Sequence, residues 1–99
     1  MQNLKFTRLA ENDLLEVFEY IAQDNPEAAY EVHAAIVETC KLVSERPNIA
    51  SVIPSSINGL RRAVVKAYPS YLIFYRQVGV DIEIVRLGEG HRDWVSIIS

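Results

Sequence analysis

Two stretches of helical periodicity meet at Asp24-Asn25-Pro26, and the shortness of that junction leaves little choice of fold. Before it, Leu14, Val17, Phe18 and Ile21 recur at helical spacing, with Glu11, Asp13, Glu16 and Glu19 largely elsewhere. Thr7 is placed to cap this helix. The residue before a proline is pushed out of the α region, so the helix should stop near Gln23-Asp24. Asn25 then reads as an N-cap, Pro26 as the first helical residue and Glu27 as first-turn acid. Ala29, Val32, Ile36, Cys40 and Val43 form one apolar stripe, and Pro47 ends the region. Helices joined so tightly must fold back as an antiparallel hairpin, and each stripe needs a surface to cover it.

That surface is a sheet. Residues 3–7 alternate polar and apolar and predict a short strand. Residues 48–59 carry Pro54, Ser55, Ser56, Asn58 and Gly59 and predict a loop. Three further strands are predicted over 60–67, 71–77 and 80–87, separated by Tyr68-Pro69-Ser70 and by the hairpin-length link Gln77-Val78-Gly79. The order is β-αα-βββ. The fold class is α+β, a helical hairpin packed on one face of a small antiparallel sheet that the first strand also joins. The other sheet face is expected to stay open, where arginines can collect. At 99 residues the whole chain, 1–99, is one domain, because there is no room for a second core.

Composition narrows the function classes. Apolar residues at 49% exclude a disordered chain, which could not offset its ordering entropy. A single cysteine, Cys40, excludes an intrachain disulfide framework and a cysteine-based zinc knuckle. The run Tyr71-Leu72-Ile73-Phe74-Tyr75 is far too short to span a bilayer, and no apolar leader follows Lys5 and Arg8. The expected compartment is therefore the cytoplasm, with no membrane partner. The net charge of −3 argues against a general nucleic-acid binder. Its distribution is uneven, −6 over residues 1–45 and +3 over 46–99, which suggests two different surfaces.

No motif demands a metal or a cofactor. Gly88 and Gly90 lack the strand–glycine–helix context of a phosphate loop, and there is no HExxH or paired-carboxylate pattern. His33 and Cys40 lie seven residues apart on one helix, about 10 Å, too far for a nucleophile–base pair. Cys40 is expected to be a buried structural thiol. Arg61, Arg62, Lys66, Arg76 and Arg86 fall on neighbouring strands, with Arg62 and Lys66 on a shared face. They suggest either a cationic surface for RNA or an acidic peptide, or ordinary charge that discourages edge aggregation. The stretch Gly88-Glu89-Gly90-His91-Arg92-Asp93-Trp94 is the most unusual. His91, Arg92 and Asp93 offer an acid/base and phosphate-binding cluster, or a set of ion pairs that fix the tail. Val95-Ser96-Ile97-Ile98 is either a docked last turn or a frayed end.

Taken in order, Asp13-Leu14, Tyr20-Ile21-Ala22, Asn25-Pro26, Ala28-Ala29, Cys40, Pro47, Gly59-Leu60-Arg61, Tyr71-Leu72-Ile73-Phe74-Tyr75-Arg76 and Gly90-His91-Arg92-Asp93 resemble the ParE branch of the RelE/ParE toxin superfamily. The resemblance runs over nearly the whole chain and implies the same β-αα-βββ order. It implies a bacterial toxin of a type II toxin–antitoxin system. RelE-type members cut mRNA on the ribosome; ParE-type members bind and inhibit DNA gyrase. Of the RelE-type catalytic positions, Arg62 and Arg92 fit, whereas Tyr71, Val64 and Ile98 stand where basic or tyrosine groups belong. The resemblance therefore implies a gyrase-binding protein with no catalytic residues of its own. The alternatives are a ribosome-dependent mRNA endonuclease in which His91 replaces a missing group, and a toxin fold without activity. The implied partners are gyrase and a cognate antitoxin, whose extended or helical segment covers the toxin. The expected contact residues are Arg62, Lys66, Arg76, Arg86, His91, Arg92 and Trp94.

Overall fold

The computed structural model describes residues 3–98; Met1, Gln2 and Ser99, at the two ends of the expected domain, lie outside the described residues. The chain runs β1 (Asn3–Phe6), α1 (Arg8–Ala22), α2 (Pro26–Glu45), a 3-10 turn (Pro47–Ile49), β2 (Arg61–Val64), β3 (Tyr71–Val78), β4 (Asp81–Glu89) and α3 (Trp94–Ile98). The predicted caps form. The Thr7 hydroxyl accepts from Ala10 N–H at 3.0 Å, and Asn25 Oδ1 accepts from Ala28 N–H at 3.1 Å. Each satisfies a helix-start donor that has no intrahelical acceptor.

The sheet order is β1-β4-β3-β2. The three late strands are antiparallel as expected, and Gly79, at φ +62°, makes the tight β3–β4 turn. β1 pairs parallel with β4, so the sheet is mixed rather than wholly antiparallel. The reason is topological: α1 and α2 carry the chain from β1 at one edge to β2 at the other, and the antiparallel meander β2-β3-β4 then brings β4 back beside β1 in the same direction.

The hairpin covers one face. Val32, Ile36, Cys40 and Val43 of α2 pack with Ala63, Val65, Ile73, Tyr75, Ile82, Ile84 and Leu87 of the sheet side, all buried. The α2 stripe is as predicted, with Ala29 also at zero exposure. In α1 the predicted stripe is only half-buried, and the residues most deeply buried are Ala10 and Asp13. Asp13, one of the acids read as lying off the apolar stripe, is 4% exposed.

Three expectations are corrected. First, the second sheet face is not open. Leu60, Phe74, Trp94 and Ile98 form a second buried cluster on it, with Ile53, Ile57, Leu72, Val85 and Ile97 against them. Leu72 and Phe74 alternate with Ile73 and Tyr75, so β3 has apolar side chains on both faces and needs cover on both. Second, β2 ends at Val64, well short of residue 67. Val65 N–H bonds to Tyr71 C=O and the chain turns through Tyr68. Third, β4 is irregular. Phe74 pairs with Arg86 and Tyr75 with Ile84, leaving Val85 as a bulge. The bulge reverses the alternation, so Leu87 rather than Arg86 follows Ile82 and Ile84 into the main core.

Candidate interaction site

The C-terminal segment is docked, not frayed. Gly90 N–H bonds to Ser70 C=O at 2.7 Å, and Trp94 N–H to Arg92 C=O at 2.8 Å. Asp93 starts α3 by accepting from Ser96 N–H and, at 2.7 Å, from the Ser96 hydroxyl. At the far end the Ser55 hydroxyl donates to Ile98 C=O at 2.6 Å and accepts from Ile57 N–H. Residues 53–60 and α3 thus hold each other over the second sheet face.

Trp94 is the anchor. It is 6% exposed, its ring lies 4.8 Å from that of Phe74, and its indole N–H donates to Glu89 C=O at 2.8 Å. Gly88 makes room for it: a Cβ there would stand 3.0 Å from the indole ring. Two guanidinium groups flank the indole, Arg92 at 5.0 Å and Arg86 at 5.8 Å from its centroid. Both distances are within cation–π range.

The expected cationic surface is divided. Arg86 forms a two-point ion pair with the buried Asp13 carboxylate. Hydrogen bonding to Asp13 raises its already high pKa further, against an opposing effect of burial. Arg76 pairs with Glu83 at 2.9 Å. Lys66 lies beyond the end of β2 and lines a groove with Glu38, Thr39 and Leu42 of α2, so it does not share a surface with Arg62. Arg62 and Arg92, by contrast, line one cleft of about 580 Å³ between β2, β3 and α3. His91 is exposed, with Nδ1 3.5 Å from a Glu89 carboxylate oxygen. Of the seven expected contact residues, the structure gathers Arg62, Arg92 and Trp94 at one cleft. Arg86 stands behind Trp94, His91 is exposed on the turn before Arg92, and Arg76 and Lys66 lie elsewhere.

Cys40 is fully buried, and burial pushes its thiol up to about 12, so it is not a nucleophile. His33 packs edge-on against Phe18 on the hairpin. Among the described residues no group of three or more His, Cys, Asp or Glu side chains is arranged to hold a metal ion. No helix among them is long and apolar enough to cross a membrane.

Sequence reasoning missed a second cleft, of about 560 Å³, between the two helices and β1. Leu14, Leu15, Phe18 and Tyr30 line it, and Leu15 and Tyr30 are largely exposed. The signal was there: Leu15, Tyr20 and Tyr30 are large apolar residues off the buried stripes.

This arrangement, a helical hairpin on a four-stranded mixed sheet with a docked C-terminal segment, is that of the small type II toxins. Residues 4–94 match the model of the ParE toxin of type II toxin–antitoxin systems, parDE, and the chain belongs to that family. It is 32% identical over 97 residues to the Sinorhizobium fredii protein named "Putative toxin Y4kP", covering 98% of this chain and 97% of that one. The chromosomal ParDE toxin–antitoxin system of P. aeruginosa has a similar structure, with TM-score 0.75 and 28% identity over 90% of this chain and 96% of that one. The toxin–antitoxin complex DinJ-YafQ of E. coli matches with TM-score 0.59 at 15% identity, over 90% of this chain and 93% of that one, a likeness of fold alone.

Proposed function

We propose that this type II toxin acts by binding DNA gyrase through its C-terminal segment, and that a cognate antitoxin neutralises it by covering the same region. The observation that carries the reading is the pairing of Arg92 and Trp94. A buried, hydrogen-bonded indole fixes the segment, and an exposed guanidinium lies 5.0 Å over it. Arginine and tryptophan are the residue types most enriched at binding hot spots, and here the second holds the first in place. The positions expected of a RelE-type ribonuclease are otherwise occupied. Ile98 is a core residue under Ser55, Val64 is an exposed apolar side chain, and burial and Glu89 raise the Tyr71 hydroxyl pKa.

One arrangement favours the endonuclease alternative. His91 beside Glu89, next to the exposed Arg92, pairs a proton carrier with a phosphate-binding group. Induced expression in bacteria separates the readings. Filamentation with a DNA-damage response, and loss of supercoiling by purified gyrase on adding the protein, are the expected results. Rapid translation arrest with cleaved mRNA and unaffected gyrase would establish the endonuclease instead, and unimpaired growth would leave a toxin fold without activity.

A further inference from the structure

The cleft between β2, β3 and α3 has an unusual composition. Its accessible apolar lining is Ile53, Pro54, Leu72 and Val95, with Phe74 and Trp94 buried beneath them, and Arg62 and Arg92 line it as well. Among the described residues neither guanidinium meets a carboxylate, whereas Lys5, Arg76 and Arg86 each do. The acid that lines the cleft, Asp93, is engaged by Ser96. Two arginines against one aspartate leave the cleft a net positive charge in a chain of net charge −3. A planar guanidinium is suited to hold a carboxylate through paired hydrogen bonds.

The kind of anion follows from the floor. Nucleic-acid binding at such a site draws on exposed ring faces for base stacking. Phe74 and Trp94 are 1% and 6% exposed, so their faces are already used in the second core. A peptide that places a carboxylate next to a large apolar side chain satisfies both parts of the cleft at once.

We propose that this cleft docks a segment of a partner protein in which Asp or Glu adjoins an aliphatic or aromatic residue. The proposal deepens the toxin–antitoxin reading and rests on it for the source of the segment, the antitoxin. Occupation of the cleft engages Arg92 and so withdraws it from any other target.

A random-peptide display library selected against the intact protein tests this. The enriched peptides should carry an acid beside a large apolar residue. A synthetic copy of one should shift the emission of Trp94, the only tryptophan, in a saturable manner. Replacing its acid by the amide, or using Arg62→Gln or Arg92→Gln protein, should each weaken binding about tenfold, the loss of one charge-assisted contact. Both arginines are exposed, so the variants should keep a cooperative melting transition, lowered by no more than about 8 °C where the Arg92 contact with Trp94 is lost, which verifies their folding. Enriched peptides without acids, or affinities unmoved in both variants, would overturn the proposal, as would displacement of the peptide by a short single-stranded RNA that binds more tightly. The assay does not need toxicity. A harmless chain that selects acidic peptides refutes the toxin reading only; a toxic chain that selects none refutes the docking proposal only.

Discussion

Arg86 and Asp13, separated by 73 residues, meet in a two-point ion pair with N–O distances of 2.7 and 2.9 Å. The second Asp13 contact explains the site: Asp13 Oδ2 also accepts from Leu87 N–H at 3.1 Å. β1 pairs with β4 only as far as Ile84, so the edge of β4 beyond it has no strand partner. Asp13 takes the place of one. The Val85 bulge turns Arg86 toward that edge, and the Thr7 hydroxyl, which caps α1, donates to Val85 C=O at 2.8 Å. The start of α1 is thereby tied to the bulge, and through Arg86 to Trp94.

Asp13→Ala should consequently be among the most damaging single changes. It leaves Arg86, whose side chain is only 16% exposed, without its counter-charge, and one sheet N–H without an acceptor. A loss of about 3–5 kcal/mol is expected from urea unfolding. Arg86→Glu should be at least as severe, because it sets two carboxylates together. Arg76→Glu, at a half-exposed pair with Glu83, should cost less than about 1 kcal/mol. Similar costs at Arg76 and Arg86 would refute the structural role assigned to the Asp13 pair.

Trp94 and Gly88 form a size-matched pair. Trp94→Ala should cost about 3–5 kcal/mol, as for other large buried aromatics. Trp94→Phe keeps most of the contact with Phe74 but loses the bond to Glu89 C=O, and should cost about 1 kcal/mol beyond the smaller ring. Gly88→Ala places a methyl 3.0 Å from the indole and should cost about 1–3 kcal/mol. Combining Gly88→Ala with Trp94→Phe should cost less than the sum of the two, as measured by thermal melts. Strict additivity would show that the glycine is not there for the indole.

What the sequence makes legible follows the range of the interactions. The hairpin is local: the Thr7 and Asn25 caps, the Pro26 start and the α2 stripe each depend on residues within a few positions, and all are found. The burial of Asp13 is not local, since its partners are strand residues 73 and 74 positions away. Among ordinary solvated helix acids nothing in the α1 pattern singles it out. The bulge at Val85 likewise shows only as the adjacent apolar pair Ile84-Val85 between Glu83 and Arg86, which does not fix the placement of Arg86. The second core was legible in principle. Tyr71-Leu72-Ile73-Phe74-Tyr75 does not alternate, which is the signature of a strand covered on both faces. For the site, proximity in sequence located Arg92 and Trp94, but only the fold shows that Arg62 joins them while Arg76 is neutralised.

Cys40 sets an alkaline limb on stability. Burial raises its thiol from an ordinary 9.0 to about 12. Between those values the folded chain keeps a proton that the unfolded chain releases. The contribution is therefore constant below the unfolded value and is lost as pH rises toward the folded one, by at most about 1.4 kcal/mol per unit. The Tyr75 and Tyr71 hydroxyls, also raised by burial, act in the same direction. Unfolding free energy should fall as pH rises above about 9, and Cys40→Ala should make that fall shallower. In the native state the thiol should react with disulfide reagents only at the rate of unfolding. Fast labelling, or an unchanged alkaline slope in Cys40→Ala, would contradict its burial.

Arg92 separates binding from folding most cleanly. Its side chain is exposed and has no carboxylate partner among the described residues, and it lies 5.0 Å above the Trp94 ring. An exposed cation–π contact is worth about 0.5–1 kcal/mol, so Arg92→Ala should lower the melting temperature by no more than about 8 °C. Toxicity on induced expression should nevertheless be abolished, because the guanidinium is the group offered to the target. Arg92→Lys retains the charge but not the planar fork, and should restore toxicity only in part. Trp94→Ala gives the contrasting result: toxicity lost together with the fold, visible as a collapsed melting transition. Growth assays and melting curves on the three variants therefore read the two roles independently. An Arg92→Ala protein that melts like the parent and kills as efficiently would remove Arg92 from the binding surface and leave Trp94 as a purely structural anchor.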